Sequence, residues 1–153
     1  MTTPAQHPQP VQTFAAELAA KFAAHAAGQP EDQLRGPTER LLGAIGTMQG
    51  LVVVAKDESP LPDQPGRPDF AVTVGGLLCG YVELKAPGTG TDVGRYTGHN
   101  RQQWQRFAHL PNLVYTDGND WALYRSGECL RSVRFAGDLT QLGARALDDA
   151  GPG

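Results

Sequence analysis

Apolar residues recur along this chain at two different spacings. Phe14, Leu18 and Phe22 fall at i, i+4 and i+8 in an alanine-rich stretch, the stripe of an amphipathic helix. Gly28 and Pro30 should end it. A second stripe, Leu41, Leu42, Ile45 and Met48, follows Gly36-Pro37 and closes at Gly50. Pro37 suits a first helical position, where the amide hydrogen it lacks would have no partner. Beyond that point the spacing shortens. Residues 51–55, 69–74, 78–86, 112–116, 121–125 and 130–135 are β-branched or alternating runs bounded by turn formers and read as strands. Gly75-Gly76, between the second and third of them, is a hairpin signal. Residues 99–110 interrupt the strands with a helix carrying Trp104, Phe107 and Ala108 on its apolar side. A short helix is expected over 139–147.

Helices set into a run of strands predict an α/β fold, with a mixed central sheet of about five strands flanked by helices. Residues 13–147 are expected to form one domain. A disordered tail rich in Pro, Gln and Thr precedes it over 1–12, and a loose tail follows over 148–153.

Composition adds little to this picture and removes some alternatives. The 153 residues suffice for a single packed core. The 19 glycines and 12 prolines cluster in tails and loops, notably residues 87–98, which hold four glycines and should be flexible. Two cysteines, Cys79 and Cys129, make no disulfide framework and no metal-type spacing, which suits a reducing cytoplasm. No basic stretch followed by an apolar run opens the chain, and no apolar run is long enough to span a bilayer, so neither signal peptide nor membrane is expected. A net charge of −3 does not advertise a nucleic-acid partner. Local clustering matters more, and Arg95, Arg101 and Arg106 form a basic stretch able to face a phosphate backbone.

The chemistry concentrates in one strand. Alternate strand residues share a face, so Cys79, Tyr81, Glu83 and Lys85 project from one side and Gly80, Val82, Leu84 and Ala86 from the other. Asp69 starts the partner strand. A strict two-residue turn at Gly75-Gly76 would set Asp69 opposite Val82, and the two acids would lie on opposite faces. A turn of odd length, or a bulge, sets Asp69 across from Glu83 at a Cβ separation of about 5 Å, close enough to share a cation. Two facing carboxylates repel unless a proton or cation lies between them. Mg²⁺ takes such oxygen ligands, and Lys85 beside them can orient or deprotonate a water, or steady charge on a phosphate.

Pro68-Asp69 followed after a hairpin by Glu83-Leu84-Lys85 resembles the PD-(D/E)xK signature of restriction and repair nucleases. The resemblance implies that Asp69, Glu83 and the Leu84 carbonyl hold Mg²⁺ and that Lys85 handles the attacking water. Members often add a glutamate from the preceding helix, which matches Glu39, and a QxxxY pattern on the following helix, which matches Gln103 with Phe107 in place of Tyr. The run Gly98-His99-Asn100-Arg101-Gln102-Gln103-Trp104, then Asn112 to Gly118 and Trp121 to Tyr124, is similar to the N-terminal nuclease modules of single-chain restriction–modification enzymes. In those, a methyltransferase and a target-recognition domain follow. The implied function is Mg²⁺-dependent cleavage of double-stranded DNA, with a methyltransferase partner. The alternative is a nuclease-like domain that binds DNA or a partner without cutting. A third reading, a dinucleotide loop at Gly88, Gly90 and Gly94, is disfavoured because a buried parallel strand would not carry Glu83 and Lys85.

Overall fold

A computed structural model of the protein describes residues 7–24, 28–57 and 67–148. The expected tails over 1–6 and 149–153 lie outside the described residues, as does most of the proline-rich stretch before Asp69.

Helix α1 (Gln9–Ala23) buries Phe14, Ala15 and Leu18, and begins inside the stretch expected to be tail. Pro10 explains the earlier start, since proline is accommodated in a first helical turn. A 3₁₀ turn (Pro30–Leu34) leads into α2 (Arg35–Met48). Here the expected stripe is only half right. Leu41 is buried, whereas Ile45 and Met48 are exposed. The helix is rotated so that Gly46 lies against Val53, where an added Cβ would overlap the valine side chain.

Six strands follow: β1 (Val53–Asp57), β2 (Phe70–Val74), β3 (Leu77–Leu84), β4 (Leu113–Thr116), β5 (Asp120–Arg125) and β6 (Glu128–Arg134). They form one sheet in sequence order. Every neighbour pair is antiparallel except β3 and β4, which run parallel. That pair needs a crossover, supplied by α3 (Gly98–Phe107). The fold is thus a mixed α/β architecture, with six strands rather than five. Two short helices, α4 (Leu139–Leu142) and α5 (Arg145–Asp148), replace the single one expected. Gly143 separates them at positive φ, a conformation that glycine adopts without steric cost.

The sheet has a core on each face. On one side Phe14, Leu18, Leu34, Leu41 and Leu139 pack over Phe70, Val82 and Leu84. On the other, Tyr96, Trp104 and Phe107 pack over Leu113, Tyr115, Ala122 and Tyr124. Glu83 pairs with Tyr115 across β3–β4, so the second face is also the one that carries Glu83 and Lys85.

Register between β2 and β3 places the chemistry. Gly75 and Gly76 make a two-residue turn, both at positive φ, and Val74 faces Leu77. Left alone, this register would separate the acids. A bulge intervenes: Thr73 faces Leu78, but Val72 faces Gly80, leaving Cys79 as the extra residue. Beyond it Phe70 faces Val82, and the next step brings Asp69 to Glu83. Gly80 lies so close to β4 that a Cβ there would overlap the Asn112 carbonyl oxygen. Gly80→Ala is therefore expected to cost about 1–3 kcal/mol through overpacking, read as a lowered urea midpoint. Wild-type stability in that variant would contradict the close β3–β4 contact.

Candidate active site

Asp69 and Glu83 are joined through the backbone as well as by register. The Asp69 amide donates to Glu83 Oε1 at 3.1 Å, and the Leu84 amide donates to Asp69 Oδ2 at 2.8 Å. Glu83 and Lys85 are 5% and 4% exposed, unusual for charged residues. Lys85 Nζ stands 3.5 Å from Glu83 Oε2. It donates to Asn100 Oδ1 at 3.0 Å and to Gln103 Oε1, and lies 5.9 and 5.8 Å from the ring centroids of Tyr96 and Tyr115. An ammonium has three donors, and here each has an oxygen to meet.

The electrostatics follow from burial. Burial pushes the Glu83 carboxyl up to about 9, the charge of Asp69 and a hydrogen bond with its side chain push in the same direction, and Lys85 and the Asp69 amide oppose them. Without a cation the pair therefore keeps a proton that an isolated glutamate would release. Arg35, the first residue of α2, answers the other acid. Its guanidinium donates to Asp69 Oδ1 and to Asp57 Oδ1 at 3.2 Å, stands 3.6 Å from Asp32, and lies over the Phe70 ring.

The structure gathers Asp69, Glu83, Leu84, Lys85 and Gln103 at one place. Leu84 contributes its backbone there, while its side chain is buried in the opposite core. Glu39 does not join them: it is exposed on α2, and the charge it acts on is Arg40. An acid the sequence reading passed over comes nearer. Glu31, in the 3₁₀ turn that packs against β3, has its carboxyl raised by partial burial and by the charge of Asp69, with Lys85 opposing. The turn places this acid ahead of α2, and the family pattern that pointed to Glu39 carried no sign of it.

Arg95 is exposed and 3.8 Å from Asp92. Arg101 and Arg106 are exposed on α3, and Arg106 borders a cleft with Arg67, Tyr81 and His109. Residues 87–98, expected to be free, are tethered by named bonds. Asp117 Oδ2 accepts the amides of Gly88 and Gly90 at 3.1 and 2.9 Å. Tyr96 donates to the Gly90 carbonyl, and Tyr124 to that of Thr91. Asp117 also makes the turn before β5 by accepting the amides of Asn119 and Asp120.

Whether a cation fits can be judged from the donors. Among the described residues no three Asp, Glu, His or Cys side chains converge as a metal cage. The carboxylates of Asp69 and Glu83 remain, a partial oxygen set of the kind Mg²⁺ accepts when waters complete its shell. The proton-retaining carboxyl pair marks where positive charge is wanted. Arg35 takes one direction at Asp69 Oδ1, but each carboxylate oxygen has two lone pairs. The residues fit the ion.

No helix among the described residues is long and apolar enough to cross a membrane. No family model and no curated protein matches the chain. Among solved structures it is similar to a protein in the cryo-EM structure of a DrdV–DNA complex, with a TM-score of 0.56 and 21% identity. The match covers 91% of this chain and 13% of that one. The likeness is one of fold.

Proposed function

We propose that this chain is a Mg²⁺-dependent nuclease that hydrolyses phosphodiester bonds in double-stranded DNA. It serves as the cleavage module of a restriction–modification system, beside a methyltransferase and target-recognition module that supply sequence choice. The observation that carries the reading is the pairing of half-buried Asp69 with buried Glu83, with buried Lys85 on the same strand face. The similarity in fold to a much longer protein complexed with DNA supports it.

In this reading Asp69, Glu83 and the Leu84 carbonyl hold the ion, with Glu31 at the rim as a further acid. The ion, when bound, supplies Lewis acidity toward the phosphoryl oxygen and lowers the pKa of a coordinated water. Lys85 sets its positive charge beside the phosphate and steadies the negative charge that builds as water adds to phosphorus and the P–O bond to the leaving oxygen breaks. Its two amide acceptors, Asn100 and Gln103, and the nearby Glu83 carboxylate hold it as a fixed positive charge, which favours this electrostatic role. Asp69 is held by the Leu84 amide and Arg35, so its oxygens present a fixed edge. Arg101, Arg106 and Arg95 meet the phosphate backbone.

Plasmid nicking in Mg²⁺ is the direct test. Asp69→Ala and Lys85→Ala should each lower the rate by about 10²-fold or more, while binding to uncut DNA persists and weakens steeply with salt. One observation favours the rival, a non-cleaving DNA-binding domain: Arg35 already neutralises Asp69 without a metal. DNA binding with no cleavage in any divalent metal would decide for the rival.

Stability gives a second, independent measurement. In the metal-free folded state Glu83 keeps its proton up to about 9, whereas its ordinary value is 4.5. Between those values the folded state binds more protons than the unfolded one, so stability falls as pH rises. Metal-free wild-type protein should lose stability from about pH 5 to about pH 9 relative to Glu83→Gln, and Mg²⁺ should flatten the decline by favouring the ionised form. Parallel curves for the two proteins would contradict the assignment.

A further inference from the structure

We infer that Asn100 is a positioning residue for Lys85: with Gln103 it forms a two-amide clamp that fixes where the ammonium stands. The inference deepens the nuclease reading and rests on it for the kinetic consequence, though not for the clamp itself.

Lys85 sits at the end of β3 on a long side chain with four rotatable bonds, so strand register alone does not place its nitrogen. Three oxygens surround it: Glu83 Oε2 at 3.5 Å, Asn100 Oδ1 at 3.0 Å, and Gln103 Oε1. The first is the longest, and it belongs to a carboxylate that a cation would engage. The other two come from α3, where positions i and i+3 lie on one face of a helix. Asn100 is in the first turn of α3 and Gln103 one turn on. Both amides therefore reach the same nitrogen from one rigid element, and their hold survives when Glu83 is drawn to a metal. Tyr96 and Tyr115 wall the ammonium on its other sides.

The choice of amides has a chemical consequence. A carboxylate at position 100 would hold Lys85 at least as firmly, since charge-assisted hydrogen bonds are the stronger ones. It would also place a negative charge where a phosphate must approach. Asparagine holds the cation and leaves its charge available. Alanine or serine at this position removes one of the two amide holds and loosens the nitrogen, whereas aspartate keeps it in place and repels the substrate.

These substitutions separate a clamp from a merely structural contact. The chain has three lysines, Lys21, Lys56 and Lys85, and Lys85 is the buried one. Protein carrying ¹⁵N-lysine should show one ammonium resonance protected from solvent exchange near neutral pH, absent in Lys85→Ala. That resonance should broaden away in Asn100→Ala and Asn100→Ser and persist in Asn100→Asp. With plasmid DNA and Mg²⁺, Asn100→Ala and Asn100→Ser should lower kcat about 10²-fold with little change in KM, as expected for a displaced reacting group. Asn100→Asp should instead raise KM. A protected resonance retained in both Asn100→Ala and Asn100→Ser, or an unchanged kcat in an active background, overturns the clamp. Wild-type protein that cuts nothing in any divalent metal removes the nuclease reading instead, and the resonance still decides whether Asn100 holds Lys85.

Discussion

Two carboxyl groups within reach of each other, one buried and one half-buried, are costly to keep charged, and much of this structure is arranged around one such pair. Asp69 and Glu83 meet where β2 begins and β3 ends. Water cannot dissipate their repulsion there, so positive charge must arrive from the protein, from a proton or from a bound ion. The protein supplies all it can. Arg35 comes from the start of α2 to one acid, and Lys85 stands beside the other. The remainder appears as the raised Glu83 carboxyl. In the proposed nuclease, a bound cation would take the place of that proton.

That meeting depends on a single surplus residue. The glycine turn taken alone sets the acids on opposite faces, and the bulge at Cys79 restores them to one. Bulges commonly re-aim side chains in this way. The crossover helix α3 then covers the same face, bringing Asn100 and Gln103 down onto Lys85 while Phe107 and Trp104 pack against the tyrosines beneath. One helix thus closes the β3–β4 connection, completes a core and clamps a side chain. The loop before it is held by Asp117, whose four accepted amides tie the end of β4 to the segment leaving β3.

Much of this was legible in the residues, because period and turn chemistry are local. The alternation through Tyr81, Glu83 and Lys85 identified the working face, and the need for a bulge or an odd turn followed from counting along two strands. Its location did not, since nothing in Leu78-Cys79-Gly80 distinguishes a bulge from a regular strand until Asn112 is seen pressing on Gly80. Glu39 was singled out by the family resemblance, whereas the further acid that feels Asp69 is Glu31, delivered by a 3₁₀ turn that no apolar stripe announces. Arg35 was missed for a related reason: its partners Asp32, Asp57 and Asp69 are scattered along the chain and meet only on folding. Asn100 left a usable trace, three residues before Gln103 on the same helix face. Asp117 looked like an ordinary turn aspartate because half of its work is that of one.

Net charge is a poor guide to what such a molecule meets, and the pairing of its charges shows why. Asp120 is taken up by Arg134 and Glu17 by Arg40, both at some distance along the chain. Asp69 is answered by Arg35, and Glu83 by Lys85 and a proton. Each pair takes up one acid and one cation, so the net charge is unchanged and the pairing decides only where charge is left unmatched. Arg101 has no ion-pair partner among the described residues and lies exposed next to Asn100 in the first turns of α3. A polyanion approaching this face would meet that arginine ahead of the buried acids. With a divalent cation between Asp69 and Glu83, the local balance shifts further toward positive. The same ion that relieves the buried repulsion would then prepare the surface for a phosphate backbone, which ties cation binding and substrate approach to one source of charge.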